Sequence, residues 1–596
     1  TVTGEKKRRI REKIKNNPGT GLWEAYKLAR DEPIIRMPEY IEEDDKVLNT
    51  PEDKAAGFAR FFLRKVDDIT RNSTIMNDIY NGEILNKTPN ENFFTLENVR
   101  KAITELKPKS CFGFDKIPLK IIKHGGHVLL KPIHKILNMI YEQNVIPEQW
   151  KTSRITPLHK KGSKRKIENY RPISNQCSLT KVFEKLLLQR ILKIEEDAGS
   201  DFFGKKQHGF RKGKSTVTAA MNLQQDIATA LDQDDYYAVA SLDLSAAFDV
   251  INLELLMKRL EIMGLPNDIR SMLRTWLFGR TGFVEVESYC SEIFDIENGT
   301  VQGSILGPIL FNMFMRPFMM SSESISYADD SYIGNKHHDK STAVQGLQAK
   351  LIKAEQWMSG SGLKVNIEKT EFTLFHRMDT SAASIQIRES TILSNSSIRV
   401  LGIIFDNRLQ WTQQVEKAVT SAKKSLQAVK TIRKLFDEKE TVDLITSLVF
   451  SKMYYGAPVW LLPNLKEKLF ANLYSQSGKS LKIANQNLSY GKLHKKYSRA
   501  TPKIFSSYLT AINLHDVMNG KFPEICQDTH LNTLSDRRNM NCTFVRSNRY
   551  RVGLNKVSNR MRTISNVIPK TWLNDPILSF KTNCKKVIIQ NSLVNL

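Results

Sequence analysis

The sequence predicts a mixed α/β (α+β) fold, and three observations predict it. From about residue 110 short β-rich runs alternate with helices, these runs show no regular βαβ repeat, and strand signals fade after Trp411. At roughly 150 residues per domain, a chain of 596 residues has room for about three or four domains, or for one multi-lobed enzyme with appendages.

The elements follow in order. Residues 5–15 form a basic run that reads as a helix ended by Asn16, Asn17, Pro18 and Gly19, a solvated face or a patch for nucleic acid or nuclear entry. Apolar residues recur at helical spacing over 55–66 and 97–106, so residues 1–104 are expected to be a helical, basic N-terminal region. Tyr236 to Leu244 is a nine-residue strand candidate, and Ser324 to Ile333 reads as two short strands around an acidic turn. Between them lie helix candidates at 253–263 and 268–278, and residues 400–406 supply a further strand. Residues 412–436 and 440–453 repeat at helical period with Lys and Arg on their polar positions. The last hundred or so residues are basic and Asn-rich, with Arg537, Arg538, Arg546, Arg549, Arg551, Arg560 and Arg562 close together.

Composition narrows the function classes. Hydrophobic residues make up 41%, enough for a sizeable core, which argues against wholesale disorder. No run of about 18 uncharged apolar residues occurs and the N-terminus lacks a signal-peptide core, so the chain reads as soluble and intracellular, with no membrane partner. The six cysteines contain no CxxC pair, and the spacing of Cys526, His530 and Cys542 matches no standard zinc pattern. Of the formal charge of +26, +19 falls after residue 410. Such a surplus attracts polyanions, of which nucleic acid is the commonest in a cell; a solubilising surface is the plainer alternative.

Tyr327-Ala328-Asp329-Asp330 is the most informative string. Adjacent aspartates in a turn between β-formers repel and raise each other's pKa, so they call for a cation, although a solvated hairpin turn would also carry them. Asp243 ends the apolar run 238–242, where a carboxylate is costly unless paired or bound to metal. Two strands ending in carboxylates can converge on one site whose hard oxygens suit Mg²⁺. Two such ions stabilise an attacking 3′-hydroxyl and a leaving pyrophosphate, which is polymerase chemistry.

These residues carry a family resemblance. The chain resembles the reverse transcriptase of non-LTR (LINE-type) retrotransposons, with motifs in the family's order over roughly 105–410. Residues 156–162 and 169–174 look like the fingers motifs, and Gln207-His208-Gly209-Phe210-Arg211 resembles an insertion segment of this group. Residues 242–249 and 327–330 resemble the two catalytic motifs, and 301–308 the template-positioning motif. Residues 362–370 resemble the motif after them, and 400–403 the primer-grip strand.

The resemblance implies a right-hand polymerase with fingers and palm at 105–410, a helical thumb at 411–500 and a basic C-terminal region at 501–596. It implies that Asp243 and Asp329 hold two Mg²⁺ ions, or Mn²⁺, with Asp330 in support. Lys160 or Lys161, with Arg171, would clamp the incoming triphosphate; the two lysines are not distinguished. Phe248 would be a steric gate that excludes a ribose 2′-hydroxyl, and without the flanking aspartate it would read as a core aromatic. Gln302 and Gly303 would let the backbone approach the template, and Gly307-Pro308 would shape the turn into the next helix. Lys369 resembles a general acid for pyrophosphate.

The implied partners are template RNA, primer or target DNA, and dNTPs. No endonuclease motifs precede the polymerase and no Cys and His spacing suggests a nuclease after it. A separate or upstream endonuclease is therefore expected, with the endonuclease-first branch indicated by Trp572 to Pro576 and Phe580-Lys581, and no cleavage activity in this chain. The expected location is the nucleus for integration, after cytoplasmic assembly on RNA. A decayed or domesticated binding protein is the alternative, disfavoured by the joint presence of Asp243, Asp329, Asp330 and Phe248. An RNA-dependent RNA polymerase is disfavoured by Phe248 and the motif set.

Overall fold

The structure is a computed structural model that describes residues 37–71, 93–199, 201–379, 381–462 and 465–518, with a few isolated positions elsewhere. The basic run at 5–15, the Cys526, His530 and Cys542 group, the arginine-rich segment and residues 572–581 lie mostly or wholly outside the described residues.

A hairpin of β1 (Ile41–Glu43) and β2 (Lys46–Leu48) precedes helix α1 (Pro51–Thr70). Thr50 caps α1 by accepting from the Asp53 amide, and Pro51 supplies a preset φ at the first position. The hairpin adds a short β element to the helical N-terminal region that the sequence leads one to expect: the turn at Asp44, with φ 52°, reverses the chain between two three-residue strands too short to show a period. These elements do not stand apart. Phe58 of α1 meets the Tyr170 ring edge-on at 5.0 Å, and Ile41, Phe62, Ile155 and Val284 complete a small core beneath the fingers sheet.

Helices α2 (Leu96–Glu105) and α3 (Leu119–Gln143) lead into β3 (Thr152–His159), which pairs antiparallel with β4 (Tyr170–Asn175). Helix α4 (Ser178–Ala198) follows, then α5 (Thr216–Asp232), packed on the palm strand β5 (Tyr236–Leu242). The alanines of α5, among them Ala219 and Ala228, are almost fully buried in one core with Tyr237 and Val239 of β5 and allow close packing of helix on strand, whereas Ala238 and Ala240 lie in the core on the opposite face of the sheet. Helices α6 (Leu253–Ile262) and α7 (Asn267–Leu277) match the two expected segments and return the chain to the fingers. There β6 (Arg280–Val286) runs parallel to β3, and β7 (Phe294–Ile296) pairs with β6. Helix α8 (Gly307–Ser321) begins at Gly307, as expected for the Gly307-Pro308 turn.

The palm sheet is completed by β8 (Ile325–Tyr327), β9 (Asp330–His337) and, beyond helix α9 (Lys340–Gly360), β10 (Glu371–Phe375), in the order β10-β5-β9-β8 with every pair antiparallel. Helices α5 and α9 pack against this sheet.

One expected strand is a hairpin. Residues 400–406 divide into the end of β11 (Ser397–Val400) and β12 (Ile403–Asp406), because Leu401 (φ 47°) and Gly402 (φ 88°) form a tight reversal between them. The turn is anchored from both sides. The Leu401 amide donates to the Tyr332 hydroxyl of β9 at 3.0 Å, and the Tyr455 hydroxyl donates to the Leu401 carbonyl at 2.9 Å.

After Trp411 the described chain is helical: α10 (Thr412–Ile432), α11 (Glu438–Leu444) with a π segment at Ile445–Phe450, α12 (Glu467–Leu481), α13 (Tyr490–Lys496) and α14 (Pro502–Met518). Ser506 of α14 donates to the Leu461 carbonyl at 2.7 Å, so the helical body continues past residue 500. A core containing Trp411, Val415, Trp460 and Leu473 joins this thumb to the back of the palm. Among the described residues no helix is long and apolar enough to cross a membrane.

Candidate active site

Asp243 directly follows β5, and the register that pairs Leu242 with Ser331 brings it beside Asp330 at the start of β9. Asp329 occupies the two-residue turn between β8 and β9. Three carboxylates 86 or more residues apart in sequence, counted from Asp243, therefore share one end of one sheet. The loop after Asp243 is fixed by backbone bonds to the segment that carries Lys369: Ser245 N–H donates to the Lys364 carbonyl at 2.9 Å, and Asn366 N–H to the Asp243 carbonyl at 2.8 Å.

Electrostatics shows that these groups feel one another. Burial, then the charge of Asp243, pushes the Asp329 carboxyl above its usual range, with Lys160 and Arg171 opposing. Asp330 is pushed up to about 6 by burial, then by Asp329 and Asp243. Lys160 is lowered by burial, then by Arg171 and Lys369, and raised by Asp243. Both lysines that the sequence leaves open are exposed, and Lys160 is the one whose charge acts on Asp329 and Asp330. Both Lys160 and Arg171 come from the β3–β4 hairpin.

Asp243 is engaged by Lys369, whose Nζ donates to Oδ2 at 2.9 Å. Among the described residues no group of three His, Cys, Asp or Glu side chains is drawn together as a ready-made metal cage. Mg²⁺ is held by one or two carboxylates and completes its shell with water and substrate phosphates. The donors fit: hard carboxylate oxygens whose ionised form is disfavoured by burial and mutual repulsion, and which a cation would relieve.

Phe248 stacks on Phe311 of α8 at 4.4 Å and meets Phe210 edge-on at 6.3 Å, so the ring is held on two sides while remaining half-buried. It packs like a core aromatic and stands five residues after Asp243 in the sequence.

Gln302 and Gly303 are tied to the fingers. Gly303 has φ 108°, and a Cβ there would lie 2.8 Å from the Ser174 carbonyl; Ser174 N–H donates to the Gln302 carbonyl at 2.9 Å. The close backbone approach that requires glycine is thus to fingers strand β4. The Gln302 Nε2 lies 3.4 Å from Asp249 Oδ2, and burial pushes the Asp249 carboxyl up to about 6.

Sequence reasoning gave no role to Glu184. Fully buried on α4, it accepts from the amides of Ile305 at 2.5 Å and Leu306 at 3.3 Å, bracing the entry to α8, and burial pushes its carboxyl up to about 7. The signal was present, an acidic residue between Val182-Phe183 and Leu186-Leu187-Leu188, but its partner lies more than a hundred residues away.

A carboxylate-bearing antiparallel palm under a fingers hairpin and beside a helical thumb is the architecture of right-hand nucleic-acid polymerases. Residues 158–405 match the family described as reverse transcriptase (RNA-dependent DNA polymerase). The chain is 28% identical over 333 residues to the RNA-directed DNA polymerase from mobile element jockey of Drosophila melanogaster, covering 54% of this chain and 36% of the relative. It is 29% identical over 379 residues to the probable RNA-directed DNA polymerase from transposon BS of the same fly, covering 61% and 41%. A solved telomerase from Candida albicans, in complex with a fragment of telomeric RNA, is 12% identical with a TM-score of 0.32, covering 63% of this chain and 68% of that one; this likeness is too low to bear on the assignment. The matched segment is thus similar to reverse transcriptases, and both of these relatives are described as RNA-directed DNA polymerases of mobile elements. The chain spans about two fifths or less of the length of the curated relatives named here.

Proposed function

We propose that the protein copies a retrotransposon RNA into DNA by two-metal nucleotidyl transfer, extending a primer supplied at a nicked target site. The observation that carries this reading is the convergence of Asp243, Asp329 and Asp330 at one sheet end, within electrostatic reach of Lys160 and Arg171. Asp243 and Asp329 would hold the ions, Mg²⁺ or Mn²⁺, with Asp330 in support. When bound, they supply charge neutralisation on the triphosphate and activation of the primer 3′-hydroxyl.

The remaining roles fall to the chain's own side chains. Lys160 and Arg171 orient the triphosphate and offset charge that develops on it. Phe248, braced by Phe210 and Phe311, would exclude a 2′-hydroxyl. Lys369, whose ammonium pairs with Asp243, would protonate the leaving pyrophosphate. The basic thumb helices grip the template-primer duplex through phosphates, so affinity should fall steeply with salt. A separate or upstream endonuclease would provide the nick, and the work would be done in the nucleus after assembly on RNA in the cytoplasm.

A second reading, binding without catalysis, draws on one observation: Asp243 is already paired with a lysine. One assay separates the two. With Mg²⁺ and poly(rA)/oligo(dT), the parent should incorporate dTTP in preference to UTP and Asp329→Ala should not incorporate. Equal, negligible incorporation by folded parent and variant would establish the binding-only reading. Equal use of UTP and dTTP would remove Phe248 from its role.

A further inference from the structure

The turn bearing Asp329 has a conformation that its own residues do not favour. Ala328 has φ 56°, in the left-handed region that costs a residue with a Cβ on the order of 1–2 kcal/mol. Gln207, fully buried, compensates. Its Oε1 accepts from the Ala328 amide at 3.1 Å and the Gly209 amide at 2.8 Å, and its Nε2 donates to the Ala328 carbonyl at 3.4 Å. One planar carboxamide therefore holds both peptide groups that flank the Ala328 Cα.

Gln207 is itself held in place. The His208 amide donates to the Ser326 carbonyl at 2.8 Å and the Ser326 amide to the Lys206 carbonyl at 3.1 Å, so this segment runs as an extra parallel partner beside β8. The His208 ring bonds to Thr218 Oγ1 at 2.7 Å and Asn222 Nδ2 at 3.1 Å, and Asn312 of α8 donates to the Gly209 carbonyl at 2.8 Å. A Cβ on Gly209 would lie 2.3 Å from the Ala328 nitrogen, so the approach itself requires glycine.

We propose that Gln207 is a positioning residue for nucleotidyl transfer, fixing the peptides around Ala328 and hence the direction in which the Asp329 carboxylate meets a divalent cation. The proposal rests on the polymerase reading of the site. A flip of the 328–329 peptide would set the Asp329 amide against the Gln207 Nε2 in a buried place, two donors with no acceptor, and the carboxamide forbids it for that reason. A Gln that merely filled space would affect how much protein folds, but not how strongly the folded site takes up metal.

The test is the Mg²⁺ concentration for half-maximal dTTP incorporation on poly(rA)/oligo(dT), which does not depend on the active fraction, together with a thermal melt. Gln207→Met keeps length and removes all three bonds; its half-saturating Mg²⁺ should rise about tenfold at unchanged template-primer affinity. Gln207→Glu, which keeps an acceptor for the Ala328 amide, should fall between the two. Half-saturation within about twofold of the parent in folded Gln207→Met overturns the proposal. Should that variant not melt cooperatively, Gln207→Glu carries the test with the same threshold. If the parent incorporates nothing, the polymerase reading fails by itself, and Mn²⁺ binding to the same proteins by water-proton relaxation decides the clamp: weaker binding supports it, equal binding overturns it.

Discussion

Asp329 sits on a turn whose preceding residue is clamped by a buried carboxamide, whereas Asp243 ends a strand with its backbone fixed and its carboxylate on the exposed ammonium of Lys369. On the two-metal reading, one proposed ligand is preset and the other is held by a removable counter-ion. A partly exposed pair of this kind contributes about 1 kcal/mol or less, so a cation and triphosphate can displace Lys369 at little cost. The buried clamp on Asp329 cannot be exchanged so cheaply. Metal uptake is therefore expected to depend on the Asp329 side for geometry and on the Asp243 side for timing.

The largest expected break in this comparison is Asp329→Asn. Incorporation should fall on the order of 10³-fold while the melting temperature holds or rises, since a carboxylate disfavoured by burial is removed. Phe248→Ala tests the neighbouring aromatic wall; selectivity for dTTP over UTP in a competition assay should drop on the order of 10²-fold.

Glu184 offers an ionisable counterpart to the Gln207 clamp, because it holds the 305–306 amides as Gln207 holds Ala328. Its pKa rises on folding from 4.5 to about 7, so the folded state binds the proton more tightly. Stability from that proton is complete below pH 4.5 and is lost as pH rises through about 7. Glu184→Gln should therefore gain on the parent with rising pH, on the order of 2 kcal/mol by pH 8, read by chemical denaturation across the range. A gap that shrinks with pH would contradict this account.

Lys369→Met is the smallest effect and the sharpest probe of the exposed side. Freed of its partner, Asp243 should take up metal more readily, lowering half-saturating Mg²⁺ by about fivefold or less. If Lys369 also protonates pyrophosphate, the maximal rate falls in the same variant, which separates its two roles.

The palm strands and their aspartates were legible because apolar runs ending in acids are local patterns: β5 and the β8–β9 turn lie where the sequence puts them. Helices 253–262 and 267–277 were legible by period. Other features depend on long-range or single-residue geometry. The 400–406 run has strand composition throughout, and its reversal is set by two positive φ values that an apolar Leu401 does not announce. Gly303 looked like a template contact and packs on Ser174, and Gln207 reaches Ala328 across 121 residues. Which fingers lysine acts on the acids also depends on how the β3–β4 hairpin lies over the palm.

The most direct measurement is a structure of the protein with primer-template, a non-hydrolysable dNTP and Mg²⁺. The account predicts carboxylate oxygens of both Asp243 and Asp329 at about 2.1 Å from a shared ion, with Lys369 released. An Asp243 carboxylate still on Lys369 and outside the coordination shell, beside a correctly bound nucleotide, would contradict it.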